Sequence, residues 1–243
     1  MDMTRDALKW IAEQAAPNVV EINEERYTDK SLERIEKDLR AKTLEMHTLS
    51  SLVDYIRAGV DEIKGRMLLH VVSPERVEFI SCLDRDRKRE TIAAASAMIP
   101  DFAYGRFYDH EEFLIALQAK FVKNADRELL LKFAGTVEKG TVAQYGDDGV
   151  TQKATVKSGI SSKTDALVPN PVFLTPYRTF TEVEQPGSAF IFRMRDDQSG
   201  VKCAVFEADG GAWRYEAVEN IADYLTNALE GCDITKELYT VIY

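Results

Sequence analysis

Two stretches with a two-residue period constrain the fold of this chain most. Met67–Val72 and Arg76–Leu83 carry alternating apolar side chains on either side of Ser73-Pro74-Glu75, and Ala189–Met194 and Lys202–Glu207 flank Asp196-Asp197-Gln198-Ser199-Gly200. Alternation sends successive side chains to opposite faces of a sheet, and the Pro, Asp, Ser and Gly residues between the runs favour tight reversal. Each pair predicts an antiparallel hairpin. Glu90–Ala97, after the charged tip Asp84-Arg85-Asp86-Arg87-Lys88-Arg89, adds a third strand to the first hairpin and completes a meander.

Elsewhere the period is helical. Leu8, Ile11, Ala12 and Ala15 fall at i, i+3, i+4 and i+7 on Thr4–Ala15, which Pro17 ends. Tyr27–Leu49 alternates acidic and basic residues, with a thin stripe of Leu32, Ile35 and Leu39 that predicts a solvated helix. Ser51 and Asp54 give a capping signature for a helix with Leu52, Val53 and Ile56 inward, ending near Gly59. Asp109 and Glu112 open another, faced by Phe113, Leu114, Leu117 and Phe121, and Asp126–Ala134 follows with Leu129, Leu130 and Phe133. These two are expected to form a hairpin over one sheet face. Tyr145–Gly149 is expected as a loop, Gln152–Lys157 as a strand, and Val168-Pro169-Asn170-Pro171 with Pro176 as edge or irregular strand. The last helix, about Tyr215–Leu229, carries Val218, Ile221, Ala222, Leu225 and Leu229, and the apolar tail Leu238–Tyr243 is expected either to add a strand or to dock on a neighbouring subunit. The fold class that results is α+β, with mainly antiparallel sheets packed by helices. A mostly helical N-terminal region spans residues 1–60 and an α+β body spans residues 61–243, possible also as one continuous domain.

The 243 residues are 45% hydrophobic and 30% charged, enough apolar matter for a real core. No window approaches the eighteen or so apolar residues of a membrane span, and the charged amphipathic start lacks the apolar centre of a leader, so the expected location is the cytoplasm. Cys82, Cys203 and Cys232 have no metal-ligand spacing and are expected as reduced, mostly buried thiols. A net charge of −10 argues against broad non-specific nucleic-acid binding, which draws on clustered Lys and Arg.

Catalytic signatures are missing. His47, His70 and His110 have no nucleophile elbow near them, and structural placement is the simpler account of all three. Asp84, Asp86, Asp147 and Asp148 have the hard oxygens Mg²⁺ prefers, which would suit a metal-dependent enzyme acting on nucleotides or nucleic acid, but Asp beside Gly is equally a turn preference. No cofactor motif is present. Arg178 and Arg193 are candidates for gripping a phosphate bidentately, with Tyr177 or Phe180 stacking on a base; the competing account pairs these arginines with Glu182, Glu184 or Glu207 across a sheet. Phe173, Tyr177, Phe180, Phe190, Phe192, Phe206, Trp213 and Tyr215 crowd the same third of the chain, and most are expected in the core.

The stretch Leu174-Thr175-Pro176-Tyr177-Arg178-Thr179-Phe180-Thr181-Glu182-Val183-Glu184-Gln185-Pro186, continued by Ser188–Arg193, resembles a phage and prophage family of unknown function typified by the YfdQ protein of enterobacterial prophages. Asp147–Gln152, Phe107–Phe113 and Ser73–Val77 extend the resemblance, which covers roughly Leu49–Leu229. It implies an accessory gene of a phage region devoted to replication, recombination or host takeover, and it brings no catalytic residue. The expected role is binding rather than catalysis, as a homo-oligomer that sequesters a host protein or a nucleotide-type ligand, or alternatively as a ring- or shell-forming assembly protein.

Overall fold

The computed structural model describes residues 4–22, 25–30, 40–61, 63, 65–137, 143–144, 152–157, 163–197, 200–230 and 239–243. The chain divides into two units, Met1–Arg40 and Ala41–Tyr243. In the first, Thr4 accepts from the Ala7 amide and caps α1 (Arg5–Ala15). An antiparallel hairpin follows, β1 (Val19–Ile22) and β2 (Glu25–Thr28). Asp29 closes it by accepting from Asn18 N and Nδ2, each at 2.9 Å. Leu8 and Ile11, the predicted inward stripe of α1, are exposed, and no residue of this helix is buried. The predicted Leu32, Ile35 and Leu39 stripe lies outside the described residues.

The second unit is α+β. Its larger sheet runs in the order β14-β4-β5-β6-β3, built from β3 (Leu44–Met46), β4 (Met67–Ser73), β5 (Arg76–Ser81), β6 (Thr91–Ser96) and β14 (Tyr239–Ile242). The central three strands are the predicted meander. At the edges, β14 pairs parallel with β4 and β3 parallel with β6. The C-terminal tail therefore adds a strand to its own sheet. β3 corrects the helical expectation for Tyr27–Leu49 at its C-terminal end.

Helices α2 (Leu49–Ala58) and α5 (Trp213–Leu229) pack with this sheet. Leu49, Leu52, Val53, Leu69, Val77, Phe79, Ile221, Leu225 and Leu229 share one core. The sequence grouped α2 with the N-terminal region; the structure places it in the core of the second unit. Its cap is Thr48, which accepts from Ser51 N at 3.1 Å, rather than Ser51 itself. Gly59, at φ +56°, ends it as expected.

The second sheet has the order β11-β12-β13-β7, from β7 (Tyr108–Asp109), β11 (Val172–Leu174), β12 (Ser188–Asp197) and β13 (Gly200–Glu207). The predicted hairpin is β12–β13, and β11 is the edge strand that its flanking prolines imply. Helices α3 (His110–Lys120) and α4 (Ala125–Thr136) supply Phe113, Leu117, Leu130 and Ala134 to a second core with Phe190, Phe192 and Met194. Asp109 precedes α3 but makes no capping hydrogen bond, because its carboxylate lies toward Lys202, 3.7 Å away. Asn124 caps α4, accepting from Arg127 N at 2.8 Å, and Leu129 faces outward, against expectation. A three-stranded sheet, β10-β9-β8, comprises β8 (Ala143–Gln144), β9 (Gln152–Lys157) and β10 (Lys163–Leu167).

Past the short β11, the backbone of β12 finds side-chain partners in place of a strand. Asn170 donates to Phe192 O at 2.8 Å and accepts from Phe192 N at 2.7 Å; Gln152 does the same with Met194, at 2.8 and 3.0 Å. A primary amide presents the donor and acceptor of a peptide group, so each extends the ladder by one rung. Gln152 is buried, and replacing it with Leu leaves the Met194 amide and carbonyl unpaired. Gln152→Leu is expected to lower unfolding free energy by about 1–3 kcal/mol in denaturant titration.

Candidate functional site

The chain from Thr175 to Ser188 crosses from the second sheet to the first and back, folded around one side chain. Arg178 is 3% exposed. Its Nη1 donates to Glu207 Oε1 at 3.1 Å, and its Nη2 donates to Pro186 O at 3.2 Å and to Ser188 Oγ. Ser188 Oγ in turn donates to Asp209 Oδ2 at 2.6 Å, and the Asp209 carboxylate accepts from Gly211 N at 3.0 Å and Trp213 N at 3.4 Å. Gly211 has φ +84°, a backbone conformation that L side chains rarely adopt, so this turn into α5 favours glycine.

Gln185 fixes the backbone of the same segment. Its Oε1 accepts from the amides of Arg178 (3.0 Å) and Thr179 (3.3 Å), and its Nε2 donates to Phe180 O at 2.8 Å. Outward links reach every neighbour. Thr179 donates to Pro74 O in the β4–β5 turn, Tyr177 N donates to Lys120 O at the end of α3, Ser50 N on α2 donates to Glu182, and Asn220 on α5 donates to Glu184 O.

The guanidinium lies over the Trp213 ring at 4.0 Å, and Arg214 lies over the same indole at 4.6 Å. Arg178 Nε and Trp213 Nε1 are buried without a hydrogen-bond partner among the described residues, so stacking is what the pair offers each other. Burial lowers the Arg178 pKa from its ordinary value, opposed by Tyr104, Glu207 and Asp209. Burial also pushes the Tyr104 phenol up to about 12, keeping it protonated and neutral. For Asp209, partial burial acts upward, but the hydrogen bonds from Ser188, Gly211 and Trp213 and the charge of Arg178 outweigh it and hold the carboxyl below its ordinary value.

Beside this network is a cavity of about 360 Å³. Phe102, Tyr104, Tyr177 and Trp213 give aromatic walls, and Arg178, Glu207, Arg214, Glu75 and Asp101 complete the lining with Ile99 and Pro100. Its volume falls within the range of small-molecule sites, and its lining mixes aromatic rings with charged groups. Phe102 and Tyr104 tie the wall to the second core through Phe121 and Phe190, with ring centroids 5.0 and 5.6 Å apart.

Of the four sequence candidates, Arg178 and Tyr177 reach the cavity. Phe180 is buried in the first core. Arg193 is not a lining residue: it alternates with the buried Phe192 and Met194 on β12 and so lies on the opposite face of that strand from Phe190, the ring beneath Arg178. The competing account of Arg178 as the partner of Glu207 is what the structure contains. Arg214 and Trp213 were missed as site residues; the signal was an Arg next to a Trp just after a Gly-Gly turn opening a helix. Among the eight crowded aromatics, Phe173, Tyr177 and Tyr215 are exposed.

Of the other candidates, His70 lies in β4 as expected and Asp86 in the exposed tip after β5. Asp84 closes its turn, its Oδ1 accepting from Lys88 N at 2.7 Å, while Asp147 and Asp148 lie outside the described residues. Among the described residues no cluster of three or more His, Cys, Asp or Glu could hold a metal ion. His110 donates to Ala134 O at 2.7 Å, and His47 to Ser96 O at 3.3 Å. Cys203 is buried as expected, Cys82 is exposed against expectation because it falls just after β5, and Cys232 is outside the described residues. No described helix is long and apolar enough to cross a membrane.

Compared with protein-family models, curated proteins and solved structures, the chain matches none.

A carboxyl whose folded pKa lies below its unfolded value contributes stability above the unfolded value and loses it as pH falls through the folded one. Asp209→Asn is therefore expected to destabilise the protein at pH 7, and the difference in melting temperature from the wild type should shrink steadily below about pH 4. A difference unchanged with pH would mean that Asp209 acts through shape rather than charge.

Proposed function

We propose that this protein is a non-catalytic accessory protein of a phage or prophage that holds a small nucleotide-type ligand in the cavity between Tyr177 and Trp213, acting in the host cytoplasm as a homo-oligomer. The phage setting is carried by the resemblance of Leu174–Pro186 and Ser188–Arg193 to the YfdQ-typified family. The ligand class is carried by one observation, the division of labour between two arginines on one indole. Arg178 is internal, and its Nη donors are committed to Glu207, Pro186 and Ser188. Arg214 is exposed, and makes no ion pair among the described residues. A guanidinium that meets an indole through its face leaves its edge donors for two parallel bonds to a phosphate, and Arg214 Cζ lies over the Trp213 ring. Tyr177, partly exposed on the same cavity, offers a ring face to a base. In this reading Arg178 shapes the floor and Arg214 does the gripping.

Binding can be read from tryptophan fluorescence, because Trp10→Phe leaves Trp213 as the sole tryptophan of the two. Titration with the common nucleoside monophosphates is expected to change that emission saturably. Arg214→Ala and Tyr177→Ala are each expected to weaken binding by about tenfold or more, the size of one charge-assisted hydrogen bond or one base stack, while Arg193→Ala leaves it unchanged. Equal loss in Arg193→Ala, or no saturable signal across the panel, contradicts the assignment. Native mass spectrometry of the protein from infected cells reads subunit number and retained ligand together.

A further inference from the structure

We infer that the cavity selects ligands with a single phosphate over those with a polyphosphate chain, an inference that rests on the nucleotide reading above. Three carboxylates line the cavity, Glu75, Asp101 and Glu207, against two guanidinium groups. Glu207 and Arg178 neutralise one another at 3.1 Å, and Asp209, joined to Arg178 through Ser188, adds a further negative charge behind them. Outside that pair, the charged residues of the lining are Arg214, Glu75 and Asp101. Lys120 donates to the Asp101 carbonyl but lines a separate cavity along α3.

One guanidinium satisfies one phosphate, and its fork geometry matches two of that group's oxygens. A second or third phosphate extends the charge toward Glu75 or Asp101, and the cation beside them, Lys120, is engaged with the Asp101 carbonyl and is not part of the lining. Like charges brought together at a binding surface are disfavoured, to a degree that salt screens where the groups are exposed. Glu75 is set by the tight β4–β5 turn, where its own carbonyl accepts from Ala97 N at 2.8 Å and its amide donates to Ser73 Oγ at 3.2 Å. The carboxylate is thus carried on fixed backbone. Glu75 and Asp101 are exposed, so their charge is removable without disturbing either core.

The test is isothermal titration of the full chain with adenosine 5′-mono-, di- and triphosphate and the guanosine series, in EDTA at low ionic strength, repeated with Glu75→Gln/Asp101→Asn. In the wild type the monophosphate is expected to bind about tenfold or more tightly than the triphosphate of the same base, and raising salt should narrow that ratio by screening. The double variant is expected to shrink the ratio by at least about fivefold, with its melting curve confirming the native fold. A triphosphate bound as tightly as the monophosphate, or a ratio indifferent to both substitutions, overturns the selectivity while leaving the nucleotide site standing. Absence of heat with every ligand in both proteins overturns the nucleotide site itself.

Discussion

Taking an arginine out of water costs several kcal/mol unless its charge and its donors are met inside the protein, and the second unit is arranged to meet them for Arg178. Glu207 comes from the end of β13, Ser188 from the start of β12, Asp209 and Trp213 from the turn into α5. These elements belong to different layers. Trp213 opens the helix that covers the larger sheet, whereas Ser188 and Glu207 belong to the smaller one. The guanidinium is the point at which the two are joined, and Gln185 holds the surrounding chain in the one path that delivers it there. A buried charge has few acceptable surroundings, so this junction specifies how the two layers meet in a way that apolar packing alone would leave looser.

The same junction makes the cavity. Where the two sheets and the start of α5 meet around this polar cluster a gap remains, lined by what each contributes: Glu75 from the β4–β5 turn, Phe102 and Tyr104 from the segment before β7, Tyr177 beside Arg178, and Arg214 one residue beyond Trp213. Structural and ligand-facing roles thereby fall on neighbouring residues. Arg178 is engaged within the protein through both Nη groups, and it lies over the same indole as Arg214.

The elements that could be read from sequence were those whose signal is local. The β4–β5 and β12–β13 hairpins show period two on both sides of a turn, and α3 and α5 show their apolar faces. What escaped depends on contacts distant in the chain. β3, only three residues long, pairs with β6 some fifty positions later, and parallel pairing leaves no turn between the partners as a marker. Thr48 rather than Ser51 caps α2 because the buried face begins at Leu49, one turn before the predicted stripe of Leu52, Val53 and Ile56. Arg178 was legible as unusual, and its pairing with Glu207 was among the choices sequence offered. Arg193 was excluded by a rule sequence already contained: with Phe190, Phe192 and Met194 turned inward, the odd positions of β12 must face away. Arg214 was not legible as part of the same site, because 36 positions separate it from Arg178 and only the Asp209–Gly211 turn brings them to one ring.

The central claim is that Arg178 joins the two layers, and the most direct measurement is amide hydrogen exchange on Arg178→Met, which keeps much of the side-chain volume and removes the charge. The account requires protection to fall together in β4–β5, whose turn receives the Thr179 hydroxyl, and in β12–β13, which carries Ser188 and Glu207. Loss confined to the Glu207 end of β13, with β4–β5 as protected as in the wild type, would show that the two sheets hold one another by apolar contact and that the buried arginine is a local feature.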